Sequence, residues 1–459
     1  MRIAIIGGGG SGMATAYLLD KQGHHVTVFE RQPMLGGHIR TLNKNVKPNQ
    51  SDCNEMLESG VLEFPTVFHS FVALMQELGV ELEPIHVGSA LFPKNGSPFF
   101  SKVTNENNYT GIQRLIEYLR FDTIHTRSLG LWLKTRFAQM EDFYDRPLSQ
   151  YVNNQSISNT WLKLLTMYSY SMPFELIDNF PAEMGIPMLR DYLAVKWLRI
   201  KGGVYSYIEK ILERFKGEVL LNVEIVNISR SADGVKIQRS ASGGSASLRD
   251  APRTLSQGDI QEFDKVVFAT PPDQVMALLA DPTEAEIKRF SDWKANYAIT
   301  TIHTDTSMYD HHHIHHPSEF DFFQTDTQWG YNSYLNQLCG ISSPQNYFLS
   351  FQLEGLIARD RIIHTQEHHT PLYTTESFRY RDEVVATNGE NHTYYAGAYL
   401  GDGLHEGAIA SAFRVAQLIG SPLAVSISGF NDGNADTVEI AADTAGIGKY
   451  LTHPRSHRS

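Results

Sequence analysis

Cysteine is almost absent from this sequence: the 459 residues include two, Cys53 and Cys339. Two thiols so far apart form neither a disulfide framework nor a CxxC metal site, so the expectation is a reducing, cytoplasmic setting. Long apolar runs are missing as well. No stretch reaches the ~18–20 residues that a membrane span needs. The apolar start MRIAIIGGGG is too short for a secretory signal and runs into a glycine loop instead of a cleavage site. Cations are in deficit: 39 Lys and Arg face 51 Asp and Glu, a formal net charge of −12. That argues against nucleic acid as a main partner, because a phosphate backbone requires clustered positive charge. It does not exclude a neutral or apolar substrate. An acidic chain without an obvious basic amphipathic helix gives no support for membrane contact, although a small apolar entry patch would be invisible here. No internal repeat is seen, and the oligomeric state is not legible.

What is present is an ordinary globular composition, 42% hydrophobic and 20% charged, with length enough for two or three lobes. Residues 2–7 read as a buried strand, 11–22 as a helix and 25–29 as a second strand, a βαβ start. Residues 66–79 read as an amphipathic helix ended by Gly79. Residues 110–215 are mostly helix-like. Strand patterns return at 218–228, 234–238, 263–272, 297–304 and 346–353. A Ser/Gly-rich loop covers 239–259. Residues 393–420 read as strand, glycine loop and helix, and the last segment, 426–459, as a loosely packed tail.

The stretch RIAIIGGGGSGMATAYLLDKQGHHVTVFER carries G-x-G-x-x-G at Gly7, Gly9 and Gly12. The first glycine permits a tight turn, the second lets backbone approach a pyrophosphate, and the third lets helix pack close to strand. Gly10 and Ser11 open the helix, whose free N–H groups favour phosphate. Glu30 ends the second strand, where a carboxylate accepts the hydroxyls of an adenosine ribose and disfavours a 2′-phosphate. The combination of strand, glycines, helix and acid points to a dinucleotide site.

The following segment, ERQPMLGGHIRT (30–41), resembles the E-R-x-x-x-x-G-G-[RH]-x-x-T extension of the flavin-containing amine oxidase superfamily. The resemblance implies FAD, with Arg31 by the adenosine ribose or phosphates, and Gly36 and Gly37 continuing along the dinucleotide. His38 stands where many members have Arg, and Arg40 offers a cation nearby. LNVEIV (221–226) and FDKVVFATPP (263–272) resemble the second pair of FAD-domain strands, which places Val223 at the adenine and Thr270 among the cofactor contacts. YYAGAYLGDGLHEGAIASAFRVA (394–416) resembles the C-terminal FAD motif. Gly397, Gly407 and Ala408 match its pattern, with backbone N–H groups expected near the reduced flavin's negative charge. The usual acid after the first glycine is Ala398 here, with Asp402 or Glu406 as its replacement. Neither cysteine sits in a covalent-attachment motif, so the FAD is expected to be noncovalent.

The implied fold is α/β: a Rossmann-like FAD-binding domain of the amine oxidase/glutathione reductase type with an interleaved α+β substrate domain. The expected FAD domain is discontinuous (1–85, 200–290 and 385–425), with 86–199 and 291–384 forming the substrate domain. Within the superfamily, ESGVLEFPTVFHSFVALMQELGVELEP, TTIHTDTSMY and YNSYLNQL resemble FAD-binding oxidoreductases encoded beside cyclopropane-fatty-acid synthases. That implies a small, apolar, lipid-like substrate, fatty-acyl chains among the candidates. The middle segment 166–193 departs from those relatives. In many amine oxidases a Lys near the flavin lies on the strand that matches YAITTIHTD, which holds no Lys; Lys294 lies just upstream.

Candidate pocket residues are Tyr168, Tyr170, Trp329, Tyr331, Tyr399 and His405. Of these, His405, Tyr399, Tyr331 and Trp329 are the catalytic candidates, His405 because imidazole titrates near neutral pH. His311, His312, His313, His315 and His316 form one run without separated ligands, read as an exposed loop, and no metal site is expected. The leading expectation is an oxidase, desaturase or dehydrogenase. The alternatives are a flavin-dependent double-bond isomerase, an amine oxidase and a non-catalytic FAD-containing partner protein.

Overall fold

The computed structural model describes residues 1–50, 53–153, 156–191, 195–240 and 260–420, with the dipeptides 246–247, 427–428 and 437–438. The loop expected at 239–259 and the tail expected at 426–459 lie almost wholly outside the described residues.

Ile3, Ala4, Ile5 and Ile6 form a run without a polar side chain, and all four are buried. Such a run suits the centre of a parallel sheet, where both faces are covered. The strand Arg2–Ile6 takes that place, between His25–Phe29 and Lys265–Phe268. Glu218–Leu221 and Thr393–Tyr395 extend the sheet on either side, all five strands parallel, and Ala246–Ser247 adds an antiparallel edge. The helices Gly10–Lys21 and His405–Ile419 pack against each other, and His69–Leu78 packs beside them. Ile6 pairs with both Phe29 and Phe268, and Phe268 pairs with Tyr395. The four strands therefore end level, and the loops that follow them meet along one edge, where α/β sheets bind ligands.

A second six-stranded sheet runs Ile362–Pro371, Ala295–His303, Phe348–Phe351, Trp329–Tyr334, Phe320–Gln324, Leu91–Phe92. It is antiparallel except for the last pair. Helices Gly111–Thr135, Ile157–Tyr170 and Ala182–Asp191 pack together, and Tyr168 at the end of the second stacks on Phe320 of this sheet. No helix among the described residues is long and apolar enough to cross a membrane.

Three expectations change. The strand read at 218–228 is two strands in different sheets. Asn222 adopts φ of 57° and Val223 N–H turns to the Glu30 carbonyl, so pairing stops at Leu221 and resumes at Ile225. The helical region 110–215 contains a strand, Trp197–Ile200, paired with Phe64–Pro65 and Leu82–Ile85. That same pairing holds Phe64 and Pro65 extended, which delays the expected 66–79 helix to His69. Gly79 ends it in a left-handed turn. In the histidine run, the His312 ring packs on Phe92 and Ile314 is buried in the core.

A buried ion pair ties the edge strand down. Arg230 holds both oxygens of Glu286, at 2.6 and 2.9 Å, and donates to Thr393 Oγ1 at 3.1 Å. Tyr395 Oη also donates to Glu286. Burial works to raise the Glu286 pKa, but hydrogen bonds from Arg230 and the Thr283 backbone outweigh it and hold it down to about 2. A carboxylate with a depressed folded pKa contributes fully above its unfolded value and loses that contribution as pH falls through the folded one. Urea unfolding is expected to show Glu286→Gln destabilised by about 2 kcal/mol at neutral pH, because Arg230 loses its buried carboxylate and keeps Asp281 at 3.0 Å. The gap between wild type and variant closes between about pH 4.5 and pH 2.

Candidate active site

The glycines of the first loop are there for room. Gly7 has φ of 109°, and a Cβ on it would stand 2.6 Å from the Ala269 carbonyl oxygen. A Cβ on Gly12 would collide with the Gly7 carbonyl. Helix Gly10–Lys21 therefore packs directly on the strand ends. Its N-cap is Gly9, which has no side chain to satisfy the first-turn N–H groups. Opposite it, Gly36 N–H donates to the Gly8 carbonyl at 2.9 Å, and the Cα of Gly9 would lie only 3.1 Å from a Cβ on Gly37. Two bare backbone loops thus form one wall.

That wall opens on a cavity of about 870 Å³. Gly7, Gly9, Gly10, Ser11, Glu30, Arg31, Gly36, Gly37, His38, Val223, Thr270, Gly397, Tyr399, His405, Ala408 and Tyr331 all line it. It runs on to Leu62, Glu63, Tyr168, Tyr170, His368, His369 and Tyr373. The cofactor-binding expectation therefore gathers residues from both ends of the chain into one space. Three side chains bear on what fits there. Arg40 is nearly buried on this wall, its guanidinium making one hydrogen bond among the described residues, a 3.4 Å contact to the Leu35 carbonyl. Burial lowers its pKa, and Glu30 pulls the other way. A cation so placed calls for an anion. Thr270 Oγ1 and Tyr399 Oη are buried with no hydrogen-bond partner among the described residues, two polar atoms that a ligand could satisfy. Glu30 binds Gly8 N–H and Gln32 N–H, one with each oxygen, at 2.7 and 2.8 Å. Each oxygen keeps acceptor capacity for a hydroxyl. The set fits an acidic dinucleotide.

Other expectations fail on geometry. Asp402 does not reach the wall: its Oδ1 accepts Leu404 N–H and Gly407 N–H, both at 2.8 Å, and caps helix His405–Ile419. Glu406 points to a different helix, accepting Ser70 N–H and Phe71 N–H at the start of His69–Leu78, where negative charge is favoured. Burial raises its pKa to about 7. Gly407 packs beneath residues 398–402, and Gly12 lies beneath the loop, so neither touches the cavity. Trp329 is buried beside Phe174, off the cavity, so its catalytic assignment falls.

His405 reaches the wall but not as a proton donor. Its Nε2 is 2.8 Å from Tyr207 Oη and its ring meets Phe64 and Phe71 edge-on. Burial drives its pKa down to about 3, so the imidazole stays neutral at physiological pH. Tyr399 and Tyr331 remain on the wall, Tyr331 with its hydroxyl 3.4 Å from Ser171 Oγ. Burial raises the pKa of both, so both stay protonated.

One titratable group that sequence reading missed is Glu63. It accepts the Tyr168 hydroxyl at 2.7 Å, and its other oxygen is buried without a partner among the described residues. Burial pushes its pKa up to about 7, with Tyr168 opposing. It stands as a lone acid in the apolar run Val61–Leu62–Glu63–Phe64–Pro65, an irregularity visible in the sequence. His369 was missed as well: its Nε2 is 2.9 Å from Asp273, and its carbonyl accepts the His38 ring at 2.7 Å. Lys294 is exposed, and no lysine among the described residues lines the cavity.

Replacing Arg40 by Met removes the wall's buried cation and little else. The expected result is about a tenfold to hundredfold weaker hold on added flavin, as for loss of a charged hydrogen bond, read by absorbance titration of the stripped protein.

Known proteins share the fold and the family. The 4,4′-diapophytoene desaturase (4,4′-diaponeurosporene-forming) of Staphylococcus aureus strain RF122 / ET3-1 is 22% identical over 338 residues, 64% of this chain. The chain spans 60% of the length of that relative. Among solved structures, the CLA-producing fatty acid isomerase from P. acnes superposes with a TM-score of 0.63 at 15% identity, covering 91% of this chain and 97% of that one. Wild-type putrescine oxidase bound to putrescine gives 0.59 at 15% identity, covering 91% and 99%. These likenesses share the fold. The sequence model of the flavin containing amine oxidoreductases matches residues 11–307, well over half of the chain, and this protein belongs to that family.

Proposed function

We propose that this protein is an oxidoreductase using noncovalently held FAD to move hydride to or from an apolar, acyl-like substrate. The observation that carries the reading is the chamber continuous with the dinucleotide cleft. Its tyrosine hydroxyls are largely spent inside the protein: Tyr168 on Glu63, Tyr170 on the Asp402 carbonyl at 2.8 Å, and Tyr373 on the Gly403 carbonyl at 3.4 Å. What they offer a ligand is ring surface beside Leu62, an apolar lining that a hydrocarbon chain can fill. The desaturase relatives and the fatty acid isomerase neighbour support an apolar substrate, and the lack of a wall lysine counts against an amine. Neither cysteine lines the cavity, in keeping with noncovalent cofactor.

The chain's own residues have definite work. Arg40 and the open N-terminus of helix Gly10–Lys21 would hold the pyrophosphate, Glu30 the ribose, and Thr270 and Tyr399 the polar edge of the ring system. A bound flavin supplies hydride transfer. Forming a double bond removes two hydrogens from adjacent carbons, one as hydride and one as proton. The Glu63–Tyr168 pair is the wall's proton acceptor, its carboxyl poised near neutrality. The enclosing aromatic wall excludes water from the reacting carbons. A proton-shifting carboxyl serves an isomerase equally well, and the fatty acid isomerase neighbour keeps that second reading in view.

Anaerobic stopped-flow with monounsaturated fatty acids is expected to show flavin reduction that rises with pH through about 7, as Glu63 loses its proton. Glu63→Gln is expected to lose this pH step and to slow reduction about 100-fold. Sustained anaerobic product formation without an acceptor would sink the redox reading in favour of the isomerase. Absence of bound or bindable FAD would sink both.

A further inference from the structure

Large apolar side chains are exposed singly over most of the surface, as is normal, but one helix gathers them. On Gly111–Thr135, Ile112 is 77% exposed and Leu119 62%, with Leu115, Ile116 and Leu133 also in the open, and Phe137 just past the end is 77% exposed. Positions 112, 115, 116 and 119 are the i, i+3, i+4, i+7 of one helical stripe, and 133 and 137 continue it after two turns of small or hydroxylated residues. The opposite face holds the buried Ile124 and Ser128 and packs on helix Ile157–Tyr170. At about 1.5 Å per residue the stripe is roughly 37 Å long.

The charge on this segment reverses that of the chain. Residues 111–137 carry five Lys or Arg against two Asp or Glu, a net +3 in a protein of net −12. Arg136 lies over both Trp132 and Phe137, at 4.4 and 4.7 Å, a cation seated on aromatic faces at the end of the stripe.

We propose that this helix docks the protein on anionic lipid bilayers, lying in the plane of the interface with its apolar stripe in the acyl boundary. A bilayer accepts a convex apolar ridge without needing a matching groove, and its anionic headgroups complement the basic flanks. A second copy of the same face would bring like charges together. The inference does not depend on the redox reading. It does place helix Ile157–Tyr170, whose Tyr168 and Tyr170 line the cavity, directly behind the docked surface. No helix among the described residues is long and apolar enough to span a membrane, and interfacial helices need not cross.

Flotation of the full chain with phosphatidylcholine vesicles, with and without phosphatidylserine, tests it. The expected result is co-flotation with the anionic vesicles, weakened by salt. Leu115→Glu with Leu119→Glu is expected to weaken it about tenfold or more. Lys134→Glu alone is expected to weaken binding to phosphatidylserine vesicles while leaving circular dichroism and thermal midpoint unchanged. Wild type that fails to float overturns the proposal, as does equal flotation of wild type and both variants. A concentration-dependent dimer in sedimentation, abolished by the double leucine variant, overturns it in favour of self-association.

Discussion

The close approach of bare backbone at Gly7 and Gly12 is the contact on which the rest of the structure depends. It lets the first helix start at the very end of the central strand, with nothing but peptide groups at the junction. Free N–H groups then stand at the sheet edge, where partial positive charge collects. Any side chain there would push the helix away from the strand. The neighbouring Gly36–Gly37 loop can lie against Gly9 for the same reason, and the cleft between them is shaped by what those residues lack.

Parallel register does the rest of the assembly. Because the strands ending at Ile6, Phe29, Phe268 and Tyr395 finish level, loops more than 380 residues apart in sequence share one cavity. The Arg230–Glu286 pair holds the last of those strands by binding Thr393 and Tyr395. The electrostatics of the interior divide accordingly. Glu286 is paired and ionised, His405 is buried and neutral, and Glu63, bonded to Tyr168 and near the buried Glu319, has its pKa raised by burial to about 7.

The family relationship establishes the flavin frame, while the chamber beyond it is what individualises this member. Desaturase, isomerase and amine oxidase likenesses all share the frame, so none of them chooses the chemistry. The choice rests on which groups face the reacting carbon. The cavity beyond the glycine wall is lined by aromatic rings, the buried His405 and Glu63, whose pKa burial raises to about 7.

The glycine spacing, Glu30, the paired glycines at 36 and 37 and the C-terminal glycine loop were legible in the linear sequence, because each is a local backbone requirement that few residues satisfy. The strand that breaks at Asn222 was not, because both halves carry the same β pattern and only their partners differ. Asp402 and Glu406 looked like cofactor ligands from their place in a motif. Tertiary structure turned one to its own helix and the other to the start of a neighbour, since each found N–H groups nearer than the cavity. Trp329, Tyr331 and Tyr399 were equally aromatic in the sequence, and packing alone decided that two face the cavity. Glu63 was invisible as chemistry until burial shifted its pKa. The exposed stripe on Gly111–Thr135 was read as ordinary helix because apolar periodicity reports a face to be covered, and only the folded chain shows that nothing described here covers it.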